Sequence, residues 1–545
     1  MLNGTQEKNN QTLTRVVFAQ EARKELFSGL CMTAEAVMCT LGPKGKTVLI
    51  QNKGGSPIIT KDGVTVSKSI VLKDPLKRMG SEMIREAASR TNDVAGDGTT
   101  TATVLTHAMV KSGLKLLEAG YSAQDLCEGI EFATKRVLEN LRSNAKQLTT
   151  SEEIAQVGTI SANGDRNIGD LIAQAMEKVG SDGIITVEDA KGMTTSLEVV
   201  EGMQFDRGYL SPYFVTNSEK MNVVFQEAKL LLTDRKISVL KDIVPILEKT
   251  MQSRTPLLII ADDVEGEALQ GLVLNKINAN LQVVAIKAPG FGKYREELLN
   301  DISILTGAKL ISSTTGLKLE ATTLQDLGTL KKVVVDAKSC TLVSNGSTRS
   351  SVEKHVEDLR FQMRDISLST DEITKLKVRV AKLAAGVAVI KVGGSTELEM
   401  IERKYRIEDA LNATRAAADE GIVPGGGMAL LGSLPEITGE KIESLPAGVK
   451  AGISVVSDAC LAPLRRIVHN AGGSGDVIYN ELLRLRKENH VTGYNASKGT
   501  YEDLIASGVI DPVKVTRTAL QNAASVASTF LNLDAVIVEE TNEQG

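Results

Sequence analysis

Hydrophobic periodicity changes character twice along this chain, from helical to alternating strand and helix and back to helical, which restricts the possible architectures more than any other feature. From Glu21 to Leu41, apolar residues at Leu26, Leu30, Val37 and Leu41 recur at helical spacing until Gly42-Pro43 stops them. Thr47 to Ile50 and Pro57 to Thr60 predict the strands of a short hairpin, Lys61-Asp62-Gly63 a turn, and long helical patterns fill the chain to about Leu148. Further on, Pro256 to Ile260 and Val283 to Ile286 are short apolar runs, followed by helical patterns over Glu265 to Asn278 and Tyr294 to Leu305. That alternation predicts an α/β domain with a partly parallel sheet. Ile373 to Leu383 and Glu397 to Glu420 return to charged helices, Gly425-Gly426-Gly427 breaks the pattern, and the last third is helix-rich. The order predicts a domain inserted within a discontinuous helical one; whether the two helical ends meet is left open.

With 545 residues the chain exceeds one hydrophobic core; at roughly 150 residues per domain it should form three or four units. Hydrophobic residues at 42% and charged residues at 24% predict a chain folded throughout. Aromatics at 3%, no Trp and a net charge of −5 argue against a base-stacking platform or a surface for a phosphate backbone, so no nucleic acid partner is expected. The cysteines Cys31, Cys39, Cys127, Cys340 and Cys460 show no CxxC pair and no zinc-like spacing, and read as reduced, packed thiols. No apolar run approaches the ~18–20 residues of a membrane span, and Met1 to Gln11 is a polar extension, so a cytoplasmic protein without membrane partners is expected. The histidines His107, His355, His469 and His490 lie far apart, offering no reactive constellation for an ordinary small-molecule enzyme.

One segment suits phosphate chemistry. Asn92 to Thr103 reads NDVAGDGTTTAT and opens a helical run through Val110. Glycines allow close backbone approach to phosphates, the helix start offers free N–H groups, and Asp97 could hold Mg²⁺, which prefers carboxylate and phosphate oxygens. The same residues also suit a capped helix start with no ligand. Thr40 to Thr47 ends in Gly-Lys-Thr, but Thr40 stands where a P-loop needs its first glycine, so it is not a P-loop and reads as a turn after a helix. Asp62 and Asp409, taken singly, read as surface acids.

Together these strings stand in the order and near the spacings of a GroEL-type, group I chaperonin, which the chain resembles from about Val16 to Glu540. Further matches are QVGTISAN at Gln156 to Asn163, VVEGMQFDRGYLSPYF at Val199 to Phe214, APGFG at Ala288 to Gly292, DPVKVTR at Asp511 to Arg517, and Gln521 to Ala527. The resemblance implies a multidomain α and α/β subunit: a discontinuous helical equatorial ATPase domain (1–145 and 421–545), a small intermediate domain (146–200 and 388–420) and an inserted α/β apical domain (201–387) that binds clients. It implies ATP, Mg²⁺ and K⁺ as ligands. Thr40, Leu41, Gly42, Pro43, Gly98, Thr99, Thr100 and Thr101 would surround the phosphates, Asp97 would hold Mg²⁺, and Thr40, Lys61 and Thr100 would lie near K⁺. Asp62 and Asp409 would be the catalytic residues that position and activate water, and Gly426, Asn495, Ala496 and Asp511 would hold the adenosine end.

The resemblance further implies an apolar rim of Tyr209, Tyr213, Phe214, Val244, Leu247, Leu269, Val273, Leu274 and Asn275 for non-native clients and a competing co-chaperonin loop. By periodicity alone these helices read instead as core faces. Arg207 with Glu397 matches a contact between neighbouring subunits, and Asp165 with Arg406 one broken by domain movement; either could equally be a solvated surface pair. The implied function is ATP-driven protein folding in a homo-oligomeric, heptameric assembly of one or two rings; the alternative is an ATPase ring scaffold dedicated to one partner. The chain departs from the family at its end, Glu539 to Gly545, which is no Gly-Met repeat. It departs again at Ser474, where an acid opposite Arg465 helps hold two rings together in bacterial relatives. A single or weakly paired ring therefore stands as an alternative to a stable double ring.

Overall fold

The computed structural model describes residues 14–539 except 52–56, 163, 181–182, 191, 219, 280, 313–315, 364–369, 385 and 489–491. The polar start Met1 to Gln11, Asn163, His490 and the end from Glu540 lie outside these residues. The chain forms two compact units, 1–174 with 394–545, and 175–393.

In chain order the helices are α1 (Ala19–Met38), α2 (Gly63–Ser69), α3 (Pro75–Ala95), α4 (Thr99–Glu118), α5 (Ala123–Ser143), α6 (Ser151–Ser161) and α7 (Arg166–Val179). The second unit adds α8 (Val244–Gln252), α9 (Gly266–Ala279), α10 (Gly292–Thr306), α11 (Arg349–Gln362) and α12 (Thr370–Ala384). The chain then returns through α13 (Glu397–Glu420), α14 (Met428–Gly432), α15 (Ala447–Asn470), α16 (Gly475–Glu488) and α17 (Val513–Leu531).

Local chemistry explains where these helices start. Asp74 caps α3 by accepting from Lys77 N–H (2.9 Å) with Pro75 at the first turn, and Thr150 and Glu153 form a reciprocal capping box on α6. On α1, Ala22, Leu26, Leu30, Ala34 and Val37 form a buried face; burying each leucine contributes about 1.5–3 kcal/mol. This face joins Leu105, Met109, Ile130, Val456 and Phe530 in one core spanning both halves of the unit. The strand Thr14–Phe18 pairs antiparallel with Ala535–Glu539, Val16 opposite Ile537, so the two helical ends do meet. The predicted hairpin forms, with Val48 opposite Thr60. Contrary to the expectation that no segment nears a membrane span, α15 is long and apolar enough by length and composition (mean hydropathy 1.3), but 61% of that window is buried inside the protein, as befits a core helix.

The second unit carries a seven-stranded sheet in the order 283–287, 257–261, 223–233, 328–335, 340–344, 202–205, with 310–311 pairing beside 223–233. The first three strands are parallel, Val284 opposite Leu258 and Leu230 opposite Leu258, and 310–311 also runs parallel to 223–233; the pairings of 328–335, 340–344 and 202–205 are antiparallel. Leu257–Ala261 is buried at every position, as a central parallel strand covered on both faces must be. The segments 146–200 and 388–420 are divided between the units. Val157 on α6 and Ala413 and Ala417 on α13 pack with Ile422 and Ile510 in the helical unit, whereas Val387 and Val389 of a small three-stranded sheet pack with Val343 in the α/β unit.

All five cysteines are free thiols. Burial pushes the Cys460 thiol up to about 12 and that of Cys340 upward too, keeping both in the unreactive form.

Candidate functional site

The segment Asn92 to Thr103 folds as two helix ends joined by a three-residue corner. α3 terminates at Gly96 (φ 71°) and α4 starts after Gly98 (φ 83°); both lie in the left-handed region that favours glycine. A Cβ on Gly96 would stand 2.4 Å from Asn412 Cβ, and one on Gly98 2.5 Å from Val515 Cγ1, so neither position admits a side chain without displacement. No side chain caps α4, which leaves its first-turn N–H groups directed at the corner, the arrangement that suits phosphate oxygens.

Asp97 sits inside this corner. Its Oδ1 accepts from Gly98 N–H (2.5 Å) and its Oδ2 from Ser161 Oγ (3.3 Å). Burial, opposed by those two hydrogen bonds and reinforced by the charge of Asp62, raises its carboxyl above the ordinary range. Asp511, on the strand Ile510–Pro512, is pushed up to about 7 by burial and then by Asp97. Two carboxylates held near each other away from bulk water create a demand for positive charge at this point. Among the described residues no group of three acidic, histidine or cysteine side chains is placed to hold a metal by itself. A cation here would need ligands from a bound phosphate besides Asp97, which is the donor set Mg²⁺ accepts.

Asp62, read from sequence as part of a turn, caps α2. Its Oδ1 accepts from Val64 N–H (3.1 Å), and its Oδ2 from Thr65 N–H (2.8 Å) and Thr65 Oγ (2.6 Å). The start of α2 abuts that of α4, since a Cβ on Gly63 would lie 2.5 Å from Thr100 Oγ1 and 3.0 Å from Thr99 Oγ1. Lys61 points to solvent beside them. Asp409 lies one turn before Asn412 on α13, and Asn412 Nδ2 donates to Gly96 O (3.4 Å), so Asp409 shares the helix face directed at the corner.

The stretch Thr40 to Pro43 is braced by the last turns of α15. Asn470 Nδ2 donates to Leu41 O (2.9 Å) and Met38 O (3.0 Å), and Arg466 Nε to Met38 O (3.2 Å). Thr40 is buried with its hydroxyl on Val37 O (2.8 Å), which leaves the loop backbone as its usable surface. Gly426 stands beside the Tyr494 carbonyl, and Asp511 Oδ1 lies 3.1 Å from where a Cβ on Gly425 would be. The Asn495 side chain is already engaged: its Nδ2 donates to Glu502 (2.6 Å) and its Oδ1 accepts from Ser497 and Lys498 N–H. That leaves the backbone of Asn495 and the shape around buried Ala496 as what these two residues can offer a ligand.

Sequence reasoning missed Ser161, Asn412, Asn470 and Val515, which orient the site. Ser161 and Val515 lie within family-like strings and Asn412 one turn from Asp409; Asn470 carried no signal, because it meets the site only through chain folding.

In the second unit the rim residues divide. Tyr213 (68%) and Leu274 (57%) are exposed, as is Asn275, whose Nδ2 bonds its own helix at Gly271 O (2.7 Å). Tyr209, Val244, Leu269 and Val273 are half-buried. Phe214, expected on the rim, is wholly buried in the sheet core, and Leu247 is 7% exposed, so neither presents a surface to a client in this conformation. For Leu247 the periodicity reading, a core face, is the correct one. Lys276 Nζ donates to Tyr213 O (2.7 Å) and Val215 O (2.8 Å), fixing that turn against α9, and Ile277 (59% exposed) extends the apolar stripe three residues beyond Leu274.

Arg406 Nη1 lies 3.7 Å from Asp165 Oδ2 and its Nη2 bonds Glu402, so these two expected partners are close enough to pair. The Arg207 guanidinium and the exposed Glu397 carboxylate have no hydrogen-bond or ion-pair partner among the described residues. Arg465 Nε pairs with Asp476 (2.7 Å) within the chain, an acid two residues beyond Ser474.

Two crystal structures of the chaperonin gp146 from the bacteriophage EL 2 (Pseudomonas aeruginosa), both in the presence of ATP-BeFx, share this fold. One matches with a TM-score of 0.63 and 22% identity over 96% of this chain and 99% of that one. The other gives 0.58 and 24% over the same shares. The model of the TCP-1/cpn60 chaperonin family matches residues 33–541, and on that match over nearly its whole length the chain belongs to this family.

Proposed function

We propose that this chaperonin-family chain is an ATP-dependent molecular chaperone, and that it captures non-native proteins on an apolar stripe of the 175–393 unit and releases them into a ring cavity. The observation that carries the reading is the corner at Gly96 to Thr99, where an uncapped helix start, two left-handed glycines and raised Asp97 and Asp511 carboxyls converge. The α4 N–H groups and the Thr40 to Pro43 backbone bind the phosphates, with Thr99, Thr100 and Thr101 adding hydroxyl donors. Asp97 is the protein ligand for Mg²⁺, which, when bound, neutralises charge developing on the transferred phosphoryl group. Thr100 and the backbone oxygens of Thr40 and Lys61 are the oxygen donors offered to K⁺. Asp62, its carboxylate fixed by Val64 and Thr65, and Asp409 orient the attacking water and accept its proton.

Exposed Tyr213, Leu274 and Ile277 bind apolar segments of unfolded clients, and a co-chaperonin loop competes for the same stripe. Arg207 and Glu397, neither with a hydrogen-bond or ion-pair partner among the described residues, complement each other between neighbouring copies of a heptameric ring. Arg465, engaged by Asp476 in its own chain, supports a single or weakly paired ring. We place the protein in the cytoplasm.

The deciding test is ATP-dependent recovery of a chemically denatured enzyme by the protein and by its Asp409→Ala variant. Recovery by the intact protein, with a variant that binds ATP yet hydrolyses it about 10²–10⁴ times more slowly, is the expected outcome. Normal hydrolysis with no client capture, with or without a co-chaperonin, would transfer the assignment to a dedicated scaffold ring.

A further inference from the structure

Phe291 is the aromatic residue of the Ala288 to Gly292 string, and no role has yet been given to it. Its ring is 70% exposed, yet its backbone is fixed: it is the N-cap residue of α10, and its carbonyl accepts from Arg295 N–H (3.3 Å). Two guanidinium groups stand over the ring, that of Arg207 at 5.4 Å and that of Arg295 at 5.7 Å from its centre, both within cation–π range.

The two arginines differ in freedom. Arg295 is immobilised, because it pairs with Asp262 and its Nε donates to Gly290 O (3.2 Å). Among the described residues the side chain of Arg207 has the ring alone. Its backbone is held firmly, with its N–H on Phe205 O (2.9 Å), and Gly208 packs so close that a Cβ there would stand 2.2 Å from the Ala337 carbonyl. The side chain, by contrast, has four torsions and no polar partner among the described residues. A guanidinium held over a ring by cation–π attraction leaves its N–H groups available to a carboxylate.

We propose that Phe291 is a positioning residue: it holds the Arg207 guanidinium over its ring so that the N–H groups are presented, already ordered, to a carboxylate on a second copy of this chain. This rests on the reading of Arg207 as a contact between neighbouring subunits and adds the element that orders it. Arg295 and Asp262 serve as the fixed side of the clamp, setting the ring plane on which Arg207 lies. Without the ring, Arg207 must lose its torsional freedom when the neighbour binds, which weakens the coupling between subunits.

The test is the ATP dependence of steady-state hydrolysis by the assembled full-length protein, comparing F291L, F291W, R207A and F291L/R207A. Leucine keeps apolar bulk and removes the π face; tryptophan keeps the π face. F291L is expected to lower the Hill coefficient and to move the half-saturating ATP concentration about two- to five-fold, in the same direction as R207A. F291W is expected to behave as the parent, and the double variant as R207A alone. Change with R207A but none with F291L overturns the positioning role and leaves the Arg207 contact standing. Silence of R207A as well removes that contact and the proposal with it. Additive effects of F291L and R207A, or loss of client capture by F291L at unchanged cooperativity, overturn it too, the latter making Phe291 a client contact.

Discussion

Replacing Gly98 by alanine tests the corner most directly. At φ 83° an L-residue costs ~1–2 kcal/mol. The added Cβ also meets Val515 Cγ1 at 2.5 Å, well inside van der Waals contact, and Val515 is itself 7% exposed, packed with Ala95 and Ala416. Overpacking of that kind costs ~1–3 kcal/mol. The sum, about 2–5 kcal/mol, falls on the first turn of α4. A local probe exists there, because Ala102 N–H donates to Gly98 O (2.9 Å). Native-state hydrogen exchange at Ala102 therefore reads the local opening free energy without assuming that the whole chain unfolds in one step. G98A should lower it by about 2–5 kcal/mol and weaken binding of a nonhydrolysable ATP analogue. G98A/V515A should recover the overlap part, about 1–3 kcal/mol, but not the part due to φ. Unchanged exchange in G98A, or no recovery when Val515 is truncated, would refute the account of this corner.

Further outcomes follow from the rest of the molecule. Asp511 is raised from 3.8 to about 7 in the folded state, so the folded protein holds a proton that the unfolded chain releases. Stability without nucleotide should then fall as pH rises through that window, with Asp97 acting in the same direction, and thermal melts of Asp511→Asn should show a flatter pH slope. Arg379 bonds fully buried Asp301 through Nε (2.8 Å) and Nη2 (2.7 Å), with His355 on the same carboxylate (2.7 Å). Arg379→Met should cost ~3–5 kcal/mol in chemical denaturation, and removing Asp301 as well should recover much of it. Leu274→Ser with Ile277→Ser should reduce capture of a denatured client on a sizing column while leaving ATP hydrolysis within about two-fold, since both side chains are exposed. Light scattering with and without ATP should show one ring, or a pair that separates in one of the two states; a double ring stable in both would contradict the reading of Arg465.

The Gly96 to Thr101 corner was legible because its chemistry is local: glycine, an acid and threonines at a helix start announce themselves in sequence. Asp62 and Asp409 were visible only through resemblance, since an isolated aspartate carries no signal of its neighbours. Rim residues were legible only in part, because a single periodicity describes both a helix face against a sheet and one turned to solvent; Leu247 went inward and Ile277 outward.

By itself the sequence determined the order of elements, the hairpin at Val48 to Thr60, the parallel strands at Leu257 and Val283, and the reduced state of the thiols, all properties of short-range pattern and composition. Tertiary structure alone decided that Thr14–Phe18 would close on Ala535–Glu539, that Asp511 would come within electrostatic reach of Asp97, and that Arg207 would lie on Phe291. These meetings join residues far apart in the chain. They are selected by burial of a shared core and by charge in a low-dielectric setting, neither of which local sequence encodes.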